Sequence, residues 1–208
     1  MAADDRPRQG SDLLAGIDFA RASEEEIEAA VVRLGSSGQA ALPVLKALLA
    51  SPEADIRWWG VRALALPSAG ASDWAADKLI LALADPDPAV RQCAALSLRQ
   101  RKTSLGLPAA ISALIPCLSS SDALLRRLAG DALAEAGSLA VPALIETLEK
   151  GPDAGRGQAA RALALIADPR SIPALFAVLD DPSSFVSFWA NQGLDAMGVG
   201  MMFFNPSG

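Results

Sequence analysis

The sequence contains no histidine and no tyrosine, and only 5% of its residues are aromatic. Without histidine, the chain cannot supply a histidine-containing zinc site, a Ser-His or Cys-His nucleophile pair, or an imidazole proton shuttle. Because it has two cysteines and no glycine period, it is neither a disulfide-rich scaffold nor collagen-like. These absences exclude imidazole-based catalysis and both of those fibrous or cross-linked classes.

Long apolar runs and an excess of basic residues are also lacking. No apolar run approaches the roughly 20 residues that a membrane-spanning helix needs, and the start MAADDRPRQG does not resemble a secretory signal. The net charge of -6 disfavours nucleic-acid binding, because phosphate contacts dominate that affinity. Cys93 and Cys117 lie in apolar helical patterns and are predicted to be reduced core thiols. We therefore expect a cytoplasmic protein with no membrane span and no nucleic-acid partner.

The chain does have apolar residues in abundance, at 51% of its 208 positions, which is enough to build a core. Many of them belong to an internal repeat. Five segments, at 41–49, 75–83, 110–118, 140–148 and 171–179, each carry two leucines spaced four residues apart. That spacing puts both leucines on one face of a helix, which we call helix A of each unit.

A second helical pattern, helix B, follows each helix A. Counting from Ile56, Val90, Leu125, Gly155 and Val186, every copy has Gly or Ala at position four, a small residue at position seven and Leu at position eight. The offset from helix A to helix B, for example Pro43 to Ile56, is 13 residues in all five copies, whereas successive units are 34, 35, 30 and 31 residues apart. Rigid helical hairpins joined by linkers of variable length predict this pattern.

The repeat divides the chain into four parts. We expect a disordered start over 1–10, and then an N-terminal helical cap over 11–37 with a capping box at Ser23 to Glu26. The repeat array spans 38–197. The apolar tail over 198–208 is expected to cover the end of the array, or else to dock into a partner or a second copy of the chain. The units of the array lie at about 38–68, 71–102, 106–136, 138–167 and 169–197.

Units of about 30 residues, a proline inside helix A and the segment DPDPAVRQCAALSLR at the start of a helix B resemble bacterial HEAT-like repeats of the phycobilisome-lyase type. The resemblance covers roughly 38–197. It implies an all-α fold, a right-handed α-solenoid of about five HEAT-like helical hairpins after one N-terminal helix. It also implies that a partner binds on the concave side, which helices B line.

Positions two, six and nine of helix B fall opposite the core-facing arc and are predicted to face solvent. Exposed aromatic and arginine side chains are frequent energetic anchors of interfaces. Trp59 and Trp189, at position three, are predicted to be core. For Trp58 and Phe188, at position two of the first and last repeats, the alternative is that the rings pack against neighbouring residues and bind no partner. The predicted partner-binding residues are Trp58, Arg62, Gln92, Arg99, Arg127, Asp131, Arg161, Phe188 and Gln192.

Position one carries arginine in four of the five units, and two interpretations remain open. The arginines could bind acidic or phosphate groups, or they could join neighbouring turns to aspartates; the second is favoured. The expected pairs draw on Arg57, Arg91, Arg126 and Arg156 as donors and on Asp55, Asp87, Asp122 and Asp153 as acceptors. A locally basic stretch, Arg91, Arg99, Arg101, Lys102, Arg126 and Arg127, is either an anion site or a solvated face.

The function that follows is a non-catalytic scaffold for protein–protein interaction, with a protein partner of unknown identity. The alternative is a lyase- or chaperone-like subunit that handles a cofactor- or pigment-bearing protein, since the resemblance is to lyase-type repeats. That resemblance covers the scaffold alone, and no motif brings lyase chemistry to this chain. We accordingly predict no catalytic residues, no cofactor-binding residues and no metal ligands.

Overall fold

The computed structural model describes residues 22–66, 72–101 and 108–199. Over these ranges the protein is all-α, with 11 helices and no strand. The chain forms two compact units, Met1–Arg101 and Lys102–Gly208. The division falls in the connection between the second and third helical hairpins, where successive repeats are furthest apart in sequence. Each unit has its own arrangement of helices.

The first unit contains one leading helix and two hairpins. Helix α3 is its centre, because α3 packs against its hairpin partner α2, against α1 and against α5, while α4 packs against α5. A short 3-10 turn, Gly38–Ala41, leads into α2. The helices are α1 (Glu24–Ser36), α2 (Leu42–Leu49), α3 (Ala54–Leu64), α4 (Ser72–Ala82) and α5 (Pro88–Gln100).

The second unit contains three hairpins, α6–α7, α8–α9 and α10–α11. Helix α9 lies between α7 and α11, and α8 contacts both α6 and α10. Helices B therefore pack on helices B, and helices A pack on helices A. The helices are α6 (Pro108–Cys117), α7 (Ala123–Ala136), α8 (Val141–Lys150), α9 (Asp153–Ile166), α10 (Ile172–Phe176) and α11 (Ser184–Ala196). The 3-10 turns Gly137–Leu139 and Pro169–Ser171 precede α8 and α10.

The residues that define the repeat form the core. Every leucine at position eight of helix B is buried, and so is every small residue at positions four and seven. At Gly193, an added Cβ would lie 3.0 Å from the Cα of Ala164, so α11 approaches α9 closely there. The five position-eight leucines are Leu64, Leu98, Leu133, Leu163 and Leu194. The predicted helical hairpins and their close packing are thus confirmed.

The helix starts follow the capping chemistry of the sequence. Glu26 donates its backbone N–H to Ser23 Oγ at 3.3 Å, and Ser23 donates its own N–H to Glu26 Oε2 at 2.8 Å, which confirms the capping box. Asp87 and Asp122 accept backbone N–H groups at the starts of α5 and α7. Satisfying these otherwise unpaired amides fixes where each helix B begins.

Helix A of the last repeat is shorter than the leucine pattern predicts. Helix α10 ends at Phe176, and Leu179 is half-buried, although Leu175 is fully buried. The chain tightens after Phe176, where the backbone N–H of Leu179 donates to the Phe176 carbonyl at 3.3 Å. The second leucine of this helix A therefore lies on a turn. The predicted disorder of 1–10 and the predicted role of the apolar tail fall almost entirely outside the described residues and stay predictions.

Candidate functional site

We use the name B arc for positions two, six and nine of helices α3, α5, α7, α9 and α11. The arc is less uniform than the sequence predicts, because three of its smallest residues, Ala65, Gly157 and Ala164, are buried. A neighbouring ring covers Gly157, whose added Cβ would lie 2.7 Å from Phe185 Cδ1. The arc residues that are exposed are Leu96, Arg99, Arg127, Phe188, Gln192 and Asp195; those half-buried are Trp58, Arg62, Gln92, Asp131, Ala134 and Arg161.

At one end of the first unit, Trp58 and its neighbour Trp59 form part of a groove. Their rings stand at 88° to each other with centroids 4.7 Å apart. Trp59 is half-buried, so its predicted place in the core is wrong; it lines an open surface beside α1. The groove, which we call the Trp58 groove, has a volume of about 580 Å³ and is lined by Glu24, Glu25, Glu28, Ala29, Trp58 and Trp59.

Position six of helix B forms ion pairs between neighbouring helices. Arg62 of α3 donates from Nη2 to Glu28 Oε1 of α1 at 2.8 Å. In the second unit, Arg161 of α9 donates from Nη2 to Asp131 Oδ1 of α7 at 2.6 Å. Arg127 lies 4.0 Å from the same Asp131 carboxylate and is itself exposed.

These pairs have a consequence for the predicted binding residues. Arg62, Asp131 and Arg161 already hold adjacent helices together, because each is paired across a helix–helix contact. Partly buried charge pairs of this kind fix the alignment of neighbouring helices more than they raise the free energy of unfolding. The sequence pattern could not reveal the pairing of Arg62, since its partner Glu28 lies outside the repeat.

The second unit carries an aromatic cluster on its last helix B. Phe188 is 53% exposed, and its ring centroid lies 5.3 Å from that of Trp189 at an angle of 82°. The Phe185 ring also lies near Trp189, with centroids 6.3 Å apart and an angle of 76°. The Arg161 guanidinium carbon lies 5.8 Å from the centre of the Trp189 ring. Trp189 is half-buried under these groups and its Nε1 is buried, so the ring lies at the edge of the core and not wholly inside it as predicted.

Three buried polar atoms next to this cluster have no hydrogen-bond partner among the described residues: Gln158 Oε1, Arg161 Nη1 and Trp189 Nε1. A Cβ added at Gly130 would lie 3.1 Å from Gln158 Oε1 and 3.7 Å from Arg161 Nη1, so both atoms face the same small space beside α7. Unpaired buried polar groups are costly. They place three polar atoms inside the contact of α9 and α11 beside α7.

The position-one arginines are structural, as favoured from the sequence. Arg57 donates to the Ser51 and Pro52 carbonyls of its own turn at 3.1 and 2.9 Å. Arg91 and Arg126 make the equivalent pairs of bonds to their own turns, at 2.7 to 3.1 Å. Each of these three arginines therefore satisfies carbonyls in the turn that follows its helix A.

The aspartates that accept across repeats differ from those expected. Arg57 pairs with Asp85, and Arg156 pairs with Asp181, each in the turn of the following hairpin. Asp87 and Asp122 instead cap helices, and Asp153 binds Arg156 within one helix at 3.4 Å. Asp85 and Asp181 both lie five residues before position zero of helix B, at Val90 and Val186. The residue at the equivalent place in the fourth hairpin is Lys150, whose ammonium group cannot accept a hydrogen bond from an arginine.

The locally basic stretch does not act as one cluster. Arg101 is buried, donates to the Leu64 and Leu66 carbonyls at 3.0 and 2.6 Å, and has a pKa lowered by burial. Arg91 and Arg126 are bound to their turns, while Arg99 and Arg127 are exposed. Lys102 lies outside the described residues. The side chains of this stretch thus have separate structural surroundings.

Both cysteines are free and buried, which confirms the sequence prediction of core thiols. Burial raises the pKa of the Cys93 thiol to about 11. Its Sγ lies 3.9 Å from both the Trp58 carbonyl oxygen and Ser97 Oγ. Neither the position nor the pKa of Cys93 suits a nucleophile at neutral pH.

A second groove lies among α2, α3 and α4 of the first unit, and no sequence motif predicted it. It has a volume of about 410 Å³, and the Arg57–Asp85 pair forms part of its wall. Leu81, which is exposed, borders it together with Lys46 and Lys78. The signal in the sequence that could have indicated this groove is Leu81, a leucine that lies off the core face formed by Leu79 and Leu83.

Within the described ranges, no group of three or more cysteine, aspartate or glutamate side chains is placed to hold a metal ion. None of the helices in those ranges combines the length and the apolar character needed to cross a bilayer. No arrangement of described side chains favours the lyase- or chaperone-like alternative over a scaffold.

Solved structures of similar fold are α-solenoids. An archaeal HEAT-like repeats protein from Thermococcus onnurineus NA1 is 15% identical, with 93% of this chain and 82% of that chain covered and a TM-score of 0.61. An engineered protein is 22% identical over 93% and 98% of the two chains (TM-score 0.53). A designed armadillo repeat protein in complex with the peptide (KR)4 is 20% identical over 91% and 98% (TM-score 0.52).

These likenesses establish the fold class, an α-solenoid, and no more than that. No protein with a curated description is significantly similar to the chain. The family model described as HEAT repeats matches residues 41–134, 76–156 and 141–200, overlapping segments that together span all five hairpins. By this match and by the architecture of its hairpins, the chain belongs to the HEAT-repeat family.

Proposed function

We propose that the chain is a non-catalytic scaffold that binds a protein partner through the B arc of its HEAT repeats. The observation that carries the proposal is the exposure of Phe188 on the last helix B. Its ring is 53% exposed although it stacks edge-on against Trp189. A large aromatic side chain held in place yet open to solvent is typical of an interface anchor.

The surroundings of Phe188 fix its position. The Trp189 ring lies near Phe185 and under the Arg161 guanidinium, and Arg161 is in turn held by Asp131. A side chain that is already ordered loses little conformational entropy when a partner binds. Within this proposal, Arg161 and Asp131 support the surface, and Phe188 and the neighbouring Gln192 contact the partner.

The first unit offers a comparable surface. Arg99 and Leu96 are exposed on α5, and Trp58 is partly exposed at the Trp58 groove. Repeat folds use rows of such side chains on stacked helices to contact extended partners. The designed armadillo repeat protein of similar fold is in complex with a peptide, so this fold class can present a peptide-binding surface.

Site-specific photo-cross-linking tests the proposal. A benzophenone amino acid is placed at Gln192 or Arg99 on the B arc, or at Glu146 or Asp77 on helices A as matched exposed controls. We expect a discrete cross-linked partner from both B-arc positions in the native cell, and none from the helix A positions. Cross-linking from the helix A positions alone would contradict the proposal.

The variants Phe188→Ala and Trp58→Ala separate binding from packing. We expect both to weaken capture of the cross-linked partner while leaving the thermal midpoint nearly unchanged, as for most surface substitutions. Leu139→Ala, which removes an exposed leucine from a turn of the second unit, is the control and should preserve capture. A large fall in thermal midpoint with undiminished capture would show that these rings serve packing.

A further inference from the structure

The Trp58 groove differs from the rest of the B arc because it combines two indole rings with carboxylates. Glu24, Glu25 and Glu28 line it from α1, and Trp58 and Trp59 line it from α3. Its volume of about 580 Å³ lies within the range of about 300–1,000 Å³ usual for ligand sites. Sequence periodicity could not indicate this groove, since α1 precedes the repeats.

We propose that the Trp58 groove binds a basic segment of the protein partner, with a lysine or arginine side chain held against the two indole rings. This inference rests on the proposed function and names the chemistry of the partner at the first repeat. The faces of aromatic rings attract cations, and tryptophan does so most strongly. Two rings at 88° present a corner in which one cation can contact the face of one ring and lie close to the other.

The charges around the corner favour a cation. Glu28 already accepts from Arg62 at 2.8 Å, which fixes that carboxylate at the side of the groove. Among the described residues, Glu24 and Glu25 have no ion-pair partner, and both are exposed. Two carboxylates therefore remain available to a positively charged side chain, next to an apolar surface that suits its methylene stem.

Helix α3, which carries Trp58 and Trp59, is held by the helices on either side of it. Trp58 belongs to the middle of α3, which packs between α1 and α5, and its backbone carbonyl faces the Cys93 thiol of α5. Glu26, the remaining acidic residue of the first turn, is engaged in the capping box and turns toward Ser23. The groove is thus preformed, and a basic segment needs no rearrangement of α1 or α3 to enter it.

Fluorescence anisotropy of the labelled peptide (KR)4 with the full chain tests the inference. We expect saturable binding that weakens as salt rises, because exposed charges are screened. Trp58→Leu keeps an apolar side chain but removes the ring, and should weaken binding by about fivefold or more, whereas Trp58→Phe should weaken it less. The double variant Glu24→Gln/Glu25→Gln should also weaken binding several-fold.

Two controls make the result specific. Glu149→Gln removes one exposed glutamate from α8 of the second unit and should leave (KR)4 affinity unchanged. The peptide (DE)4 should not bind. If the groove variants and Glu149→Gln lower the affinity for (KR)4 to the same small extent, that affinity depends only on the protein's net charge of -6, and the inference is wrong.

A different occupant would also overturn the inference. If (KR)4 fails to bind and Ile17→Ser/Phe19→Ser in the full chain shifts tryptophan emission to the red, the chain's own N-terminal segment covers the groove. Failure of (KR)4 binding leaves the cross-linking at Gln192 and Arg99 unaffected, so it would not refute the scaffold proposal. Conversely, if (KR)4 binds but no cross-link forms at any B-arc position, the Trp58 groove still binds basic segments and the proposed partner binding through the B arc is wrong.

Discussion

Arg57 of the first hairpin and Asp85 of the second are joined by two parallel hydrogen bonds. Arg57 Nε donates to Asp85 Oδ2 at 2.8 Å, and Nη2 donates to Oδ1 at 2.9 Å. Both side chains are largely buried, at 14% and 11% exposed. Asp85 Oδ1 also accepts the backbone N–H of Asp87 at 2.9 Å, so one carboxylate fixes both the turn and its contact with the preceding repeat.

Asp85→Asn is expected to destabilise the protein by about 1–3 kcal/mol. The change removes the charge that faces Arg57, and breaking one partner of a partly buried pair leaves the other incompletely satisfied. The free energy of unfolding in urea, followed by circular dichroism, measures the loss. Asp153→Asn is the control, because Asp153 is 91% exposed and its pairing with Arg156 should contribute little. Equal losses in the two variants would contradict the importance of the buried pair.

The same pair predicts a dependence of stability on pH. The Arg57 guanidinium, with the Asp87 N–H, lowers the pKa of Asp85. A carboxylate whose pKa is lower in the folded state binds fewer protons there, so its contribution is complete above the unfolded pKa of about 3.9 and is lost as pH falls through the folded value. The difference in stability between wild type and Asp85→Asn should therefore be nearly constant from about pH 7 to about pH 5 and shrink as pH falls below about 4. A difference that does not shrink in acid, or that grows there, would contradict this assignment.

The spacing of leucines and small residues was sufficient to predict the repeat, because burial at fixed intervals is a local property of each helix. Leu98 and Ala94, for example, are four residues apart and both are fully buried. The end of the array was harder to predict. At Leu179 the pattern continues although the helix has ended, since the leucine periodicity does not specify where a turn tightens.

The surface was less predictable than the core, because side-chain partners depend on how helices stack. Arg62 was expected to contact a partner, but Glu28, from a helix before the repeats, pairs with it. Gly157 was expected to be exposed, but Phe185 of the next helix covers it. Both outcomes depend on contacts between residues about 30 positions apart, and no periodicity within one helix reports them.

Cys93 is expected to react slowly with a thiol reagent in the folded protein. Its pKa rises from 9.0 to about 11, which reduces the thiolate fraction about 100-fold before any effect of access. The rate of labelling by Ellman's reagent in the Cys117→Ala variant, with and without denaturant, measures the protection. Labelling of the native protein at a rate close to that of the denatured protein would show that the thiol is accessible.

Leu144→Ala is expected to cost about 2–5 kcal/mol, because Leu144 is fully buried in α8 and its removal leaves a cavity. Leu165→Ala makes the same chemical change in α9 at a leucine that is 53% exposed, and should cost much less. Urea unfolding of both variants gives the comparison. If Leu165→Ala proved as costly as Leu144→Ala, the assignment of these two helix faces would be wrong.

Gly193→Ala tests the close approach of α11 to α9 in the second unit. Alanine is favoured over glycine in a helix by about 1 kcal/mol, so the substitution should stabilise α11 if space allowed. An added Cβ would lie 3.0 Å from Ala164 Cα and 2.9 Å from Leu175 Cδ1, and the first of these is backbone that cannot move aside. We therefore expect a net loss of about 1–3 kcal/mol from the forced separation of α9 and α11. Asn191→Ala is the control, since it raises helix propensity at an exposed position of the same helix and should be neutral or slightly stabilising. Stabilisation of both variants to the same degree would mean that α9 and α11 do not meet at Gly193, because only a close backbone contact can reverse the intrinsic preference for alanine.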